Sequence, residues 1–127
     1  MDTLANALNS IKVSETKGLQ LAQVKPASKT IREVLTLLQS EGFIASFDFI
    51  DDGKSGIFQV KLLGKINNCG VIKPRFPVNA KTWEKFEQRF LPAKNVGLLI
   101  VSTSKGLKTH VMAKNENVGG RLLCYVY

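Results

Sequence analysis

Two strand-like runs parted by a turn-rich hexapeptide restrict this chain's fold more than any other feature. FIASFDFI (43–50) and IFQVKLL (57–63) are rich in β-branched and aromatic residues, and Asp51, Asp52, Gly53, Lys54, Ser55 and Gly56 lie between them. That composition predicts an antiparallel β-hairpin. By strict alternation, Phe43, Phe47 and Phe49 share one face of its first strand. LQLAQVK (19–25), between Gly18 and Pro26, predicts another strand. Helical spacing accounts for the rest of this half. Leu4, Leu8 and Ile11 follow Asp2 or Thr3 as a cap and predict a short first helix. Ser28 opens a stronger one, in which Ile31, Val34, Leu35 and Leu38 form a single apolar stripe that Gly42 ends. Residues 1–63 therefore read α-β-α-β-β, with helices against a small sheet.

The second half reads differently. GKINNCG, from Gly64, is the expected crossing between lobes. KPRFPV contains Pro74 and Pro77 and fits only an edge strand or an extended connection. TWEKFEQRF places Trp83, Phe86 and Phe90 on one helical face, and Leu91-Pro92 stops that helix. VGLLIV (96–101) is continuously apolar and suits a buried strand. STSKG follows at once, then a short helix from Thr109 to about Asn115 and a turn at Gly119-Gly120 into a terminal strand, RLLCYVY. The expected fold class is α+β, with an α-β-α-β-β lobe at 1–63 and a β-rich lobe with short helices at 64–127. A chain of 127 residues can bury a core of this kind without disulfide or metal.

Charge points to a partner. The formal net charge is +8. Residues 1–63 carry seven basic and seven acidic side chains, whereas residues 64–127 carry eleven basic and three acidic ones. The whole excess lies in one half. A charged surface kept only for solubility needs no such asymmetry, whereas a polyanion-binding face does. Nucleic acid is favoured over an anionic membrane and over a plain basic surface.

Other chemistries are poorly supplied. Gly53-Lys54-Ser55 looks like the end of a phosphate-binding loop, but position 48 is aspartate where the pattern needs glycine, and Asp51 and Asp52 repel phosphate. Cys69, Cys124 and the single histidine, His110, give no zinc spacing and no nucleophile with an orienting base. Glu84, Glu87 and Glu116 are the only acids of the second half, and the first two read as a solvated helix face. No catalytic residue, metal, cofactor or small-molecule substrate is expected. MDTLANALNS is read as neither a secretory signal nor a transit peptide, and no apolar run is long enough to span a membrane. Two widely separated cysteines suit a reducing cytosolic compartment.

The sharpest local feature is Ser102, Thr103, Ser104, Lys105 and Gly106. Three hydroxyls and an ammonium group in a glycine-ended turn suit phosphates, ribose hydroxyls and base edges. The plainer reading is a strand-to-helix connection with Ser and Thr as caps. The basic half favours the binding reading, with Lys108 and Thr109 beginning the next element. Most aromatic residues fall at core spacings. Only Phe76, Tyr125 and Tyr127 stay open, so recognition is expected to rely on hydrogen bonds and shape, as for folded, mostly helical RNA.

The segment VSTSKGLKTHVMAKNENVGGRLLCYVY closely resembles the C-terminal signature of the eighth protein of the small ribosomal subunit, a Ser-Thr-Ser-x-Gly loop followed by a short helix, Gly-Gly and a strand. LANALNSI, VKPASKTIREVL, GFIASFDFIDDGKSGIFQVKLLGKINNCGVIKPRFPV and RFLPA resemble the archaeal and eukaryotic-cytosolic branch of that family, so the resemblance runs end to end. It implies two domains and a cytoplasmic protein on the ribosome that binds the central domain of small-subunit rRNA directly and early in assembly, beside neighbouring ribosomal proteins. The alternative is a free-standing RNA-binding translational regulator; bacterial relatives can repress their own operon.

For the site, the resemblance implies a main contact through Ser102, Thr103, Ser104, Lys105 and Gly106, with further contacts at Asn6, Asn9, Ser28, Lys29 and Thr30. Bacterial relatives carry a basic strand with an exposed tyrosine where this chain has KPRFPVNAKTWEKFEQRF. The tyrosine contact does not transfer, and Lys73 and Arg75 stand there as cationic candidates. Where many bacterial members have Glu after Gly-Gly, this chain has Arg121, a cation that can reach phosphate.

Overall fold

The computed structural model describes residues 3–25, 27–54, 56–73, 75–79, 81–93 and 96–127. Asp2, Pro26, Ser55 and Pro74, on which a cap, a strand end, part of a turn and part of an edge strand were expected, lie outside them. The fold is α+β, with four helices and antiparallel sheets in two compact units, Met1–Cys69 and Gly70–Tyr127.

In the first unit, α1 (Thr3–Thr16) buries Leu4, Ala7, Leu8 and Ile11. It runs on past the expected stretch, because no breaker intervenes before Gly18. β1 (Leu21–Val24) follows. α2 (Lys29–Ser40) is capped by Ser28, whose hydroxyl accepts the Ile31 N–H at 3.3 Å. Gly42 adopts φ +80°, which lets the Phe43 N–H turn back to the Leu38 carbonyl at 2.9 Å and close the helix. β2 (Ile44–Ile50) and β3 (Ile57–Leu62) form the expected hairpin, and the sheet order is β1-β3-β2. The stripe Ile31, Val34, Leu35 and Leu38 is buried, as are Ala22, Val24, Phe58, Val60 and Leu62 on the sheet. Each large aliphatic side chain removed from water contributes roughly 1.5–3 kcal/mol.

One expectation for this hairpin is corrected. A β-bulge lies between Ile44 and Ser46, so Ile44 pairs with Leu62 and Phe47 with Val60. The extra residue shifts the parity of the strand. Ile44, not Phe43, shares the face of Phe47 and Phe49, and Ile44 is 1% exposed. After β3 the chain stays with this unit. The Glu15 carboxylate accepts N–H groups of Gly64 at 3.3 Å and Ile66 at 3.0 Å, and the Cys69 thiol donates to the Leu8 carbonyl.

The second unit is a five-stranded sheet made of β4 (Cys69–Val71), β5 (Pro77–Val78), β6 (Leu98–Thr103), β7 (Gly106–Thr109) and β8 (Gly120–Val126), with α3 (Trp83–Phe90) and α4 (His110–Asn115). β6 lies between β7 and β8, and β5 is a two-residue edge on β8, all that its prolines allow. Trp83, Phe86, Leu91, Leu99, Val101, Ala113 and Leu122 make its core. Within it, His110 Nδ1 accepts the Leu99 N–H at 3.1 Å, so the neutral ring carries its proton on Nε2, 3.6 Å from Glu87 Oε1.

STSKG is the turn of a β-hairpin and not a strand-to-helix connection. Thr103 pairs with Gly106, and Ser104 and Lys105 form the two-residue tip. Gly106, at φ +109°, lets the chain reverse there. The helix expected from Thr109 begins one residue later. Thr109 is its N-cap, with Oγ1 accepting the Met112 N–H at 3.2 Å.

Candidate nucleic-acid interface

The β6–β7 hairpin sorts its three hydroxyls. Thr103 Oγ1 accepts the Lys105 N–H at 3.1 Å and donates to the Gly106 carbonyl at 2.7 Å. Its hydroxyl is consumed in shaping the turn. Among the described residues, no hydrogen bond uses the hydroxyl of Ser102 or Ser104. Ser104, Lys105 and Gly106 are exposed and Ser102 is half-buried. Two uncommitted hydroxyls and an ammonium group thus stand at one tip.

Register adds a cation. Ser102 lies opposite Leu107 on β7 and Arg121 on β8. Residues directly opposite in an antiparallel pair project to the same face. Arg121 is exposed, so its guanidinium stands on the Ser102 side of the sheet. Lys108 lies opposite Val101, on the other side. There its Nζ meets Glu116 Oε2 at 2.7 Å, and that bond holds the Glu116 carboxyl below its ordinary value. Lys108 is therefore half-committed inside the unit and faces away from Ser102. Thr109 is fully buried as a helix cap, so its side chain does not present itself to a ligand.

The glycines before Arg121 fix this register. A Cβ on Gly120 would overlap the Ser102 carbonyl, and one on Gly119 would overlap the Val78 carbonyl. The pair is required by close backbone approach between strands.

The remaining candidates are spread more widely. Asn6 and Asn9 are exposed on α1, three residues apart and so neighbours on one face. Lys29 and Thr30 are exposed in the first turn of α2, where Ser28 uses its hydroxyl as the cap. Lys73 and Arg75 are exposed around β4 and β5. Sequence reasoning missed Arg89, whose guanidinium lies 4.9 Å from the Phe76 ring centroid and 5.2 Å from that of Phe90. Its spacing from Lys85, on the flank of an amphipathic helix, was the available signal.

Reactive groups are subdued. Burial pushes the Cys69 thiol up to about 11. Burial lowers the His110 imidazole against the opposing pull of Glu87, and Glu87 is itself paired with Lys114. Among the described residues, no cluster of three or more His, Cys, Asp or Glu groups could hold a metal, and no helix is long and apolar enough to cross a membrane.

An α+β pair of units with a basic second half and an exposed hydroxyl-bearing hairpin has the make-up expected of a small polyanion-binding protein. Residues 2–127 match the family model described as ribosomal protein S8, and the chain belongs to that family. It is thus a ribosomal protein that binds rRNA in the small subunit, in a family of structural RNA-binding proteins and not of enzymes. The match does not favour a free-standing regulator.

Proposed function

We propose that this chain is a primary binder of a central-domain stem of small-subunit rRNA, holding that stem in shape during assembly. Residues 64–127 form the RNA-binding lobe in this reading. The carrying observation is the division of labour in the hairpin, where Thr103 shapes the turn while Ser102, Ser104 and Lys105 are left to meet RNA. Arg121 adds a phosphate contact beside Ser102, and Arg75 and Lys73 extend the cationic surface. Asn6, Asn9, Lys29 and Thr30 supply secondary contacts from the first lobe. Thr109, Gly106 and Ser28 act by shaping backbone, and Lys108 is held toward Glu116. The working location is the cytoplasmic ribosome of the archaeal or eukaryotic type, among other small-subunit proteins.

Affinity in this mechanism comes from phosphate neutralisation and register from hydroxyl contacts. The test titrates each folded variant against the cognate rRNA stem at two salt concentrations. Ser102→Ala/Ser104→Ala is expected to weaken binding, each lost hydrogen bond costing about 0.5–1.5 kcal/mol. Lys105→Ala should lower the salt slope by about one phosphate. A double serine variant that binds like wild type removes the hairpin from the interface.

A further inference from the structure

Spacing alone assigned Phe90 to the core and left Phe76, Tyr125 and Tyr127 open. In the fold these four form one connected row. Phe76 and Phe90 have centroids 6.5 Å apart, Phe90 and Tyr125 6.0 Å, and Tyr125 and Tyr127 6.1 Å, the last two pairs with planes within 20°. All four are half-buried, packed on the core with part of each ring at the surface. Arg89 lies over the first two rings. It is exposed, and among the described residues no carboxylate pairs with it. The guanidinium sits against the two rings, and the residue remains exposed to solvent.

Cations gather on the side of the row where Arg89 sits. At 100° per residue, α3 carries Lys85 and Arg89 on the flank beside Phe76 and Phe90, and Glu84 and Glu87 on the opposite flank. Glu87 is occupied there by Lys114. Arg75, also exposed, directly precedes Phe76. A planar cation on an aromatic bed, flanked by further cations, matches a ligand with both a π-face and an anionic link. An acidic peptide satisfies the cations but leaves the stacking surface unused. A nucleotide uses both.

We propose that this row is a second RNA-binding site, one that stacks a single unpaired base on the Arg89 guanidinium while Arg75 or Lys85 meets its phosphate. The inference rests on the reading that the second lobe faces RNA. Tyr125 pairs with Leu99, three residues along β6 from Ser102. That odd separation puts the row on the sheet face of Leu99 and Val101, opposite the face that carries Ser102 and Arg121, so it is a site separate from the hairpin tip.

The probe is a short unstructured oligoadenylate containing 2-aminopurine, whose fluorescence is quenched on stacking. The full chain should bind and quench it. Arg89→Lys keeps the charge and loses the plane, and it should weaken oligoadenylate binding about fivefold or more with the salt slope unchanged. Ser102→Ala/Ser104→Ala should leave oligoadenylate binding unaltered while weakening the rRNA stem. If Arg89→Lys binds and quenches like wild type, or the wild-type chain does not quench, the second site is wrong; the stem titration then judges the hairpin separately. A double serine variant that loses the oligoadenylate as Arg89→Lys does not would move the single-strand contact to the hairpin and overturn the inference.

Discussion

The backbone of Gly120 lies against the Ser102 carbonyl so closely that no side chain fits between them. This contact brings together two stretches that are far apart in the sequence, the hydroxyl loop and the Gly-Gly turn. It places Arg121 directly opposite Ser102. The cation and the serine reach one face because of where the glycine sits.

Gly120→Ala should therefore act as overpacking against a rigid backbone. A stability loss of about 1–3 kcal/mol is expected, read from the urea midpoint. The rRNA stem should also bind more weakly at temperatures where the variant is folded, because β8 must shift away from β6. An unchanged midpoint would mean that the strands part without cost and that the register is soft.

Two threonines of the hairpin region separate structure from binding. Thr103→Ala deletes both side-chain hydrogen bonds of the turn, and Thr109→Ala deletes the cap of α4. Each should cost about 1 kcal/mol of stability. At a temperature well below unfolding, Thr109→Ala should bind the stem like wild type. A specific affinity loss there, with the melting transition unaltered, would make Thr109 a contact.

His110 predicts an acid-side weakness. Burial holds its imidazole below the ordinary value. The unfolded chain takes up a proton below about pH 6.5, while the folded chain resists until lower pH. This contribution to stability is complete above that pH and is lost as the solution is acidified through it. His110→Gln should flatten the slope between about pH 6.5 and 5.5, a window above the titration of Glu116 and Asp52, whose carboxyls are held low by Lys108 and by the Lys54 N–H respectively. Urea denaturation across that window makes the measurement.

Neither cysteine should react in the native state. Cys69 is 4% exposed with its thiol pushed up to about 11, and Cys124 is fully buried. Iodoacetamide at neutral pH should label both in urea and neither in buffer. Native labelling of Cys69 would contradict its burial beneath the Leu8 carbonyl.

The elements legible in the sequence were those written in local code. The α2 stripe, the Ser28 cap, the Gly42 stop and the DDGKSG hairpin each depend on residues a few positions apart, and the fold keeps all four. What went unread depends on partners distant in sequence. The bulge at Ala45 is set by the register of β2 against β3, so alternation alone chose Phe43 over Ile44. β7 was missed because GLKT is too short to show a period, and its pairing with β6 is what makes it a strand. In the candidate site, residue type pointed to the serines and Lys105. Only the hydrogen bonds showed that Thr103 and Thr109 spend their hydroxyls on backbone, and only the ladder showed Lys108 and Arg121 on opposite faces.

The sorting of charge across α3 has a consequence for the moments before contact. Glu84 and Glu87 lie on one flank and Lys85 and Arg89 on the other, so this short helix carries a transverse electric dipole in addition to the second lobe's net positive charge. Near a polyanion the net charge draws the molecule in, and the dipole exerts a torque that turns the Arg89 flank forward. Encounters then begin in a biased orientation, and fewer collisions are wasted on the acidic side. The effect belongs to the association rate at low ionic strength. It fades as the Debye length shrinks below the width of the helix.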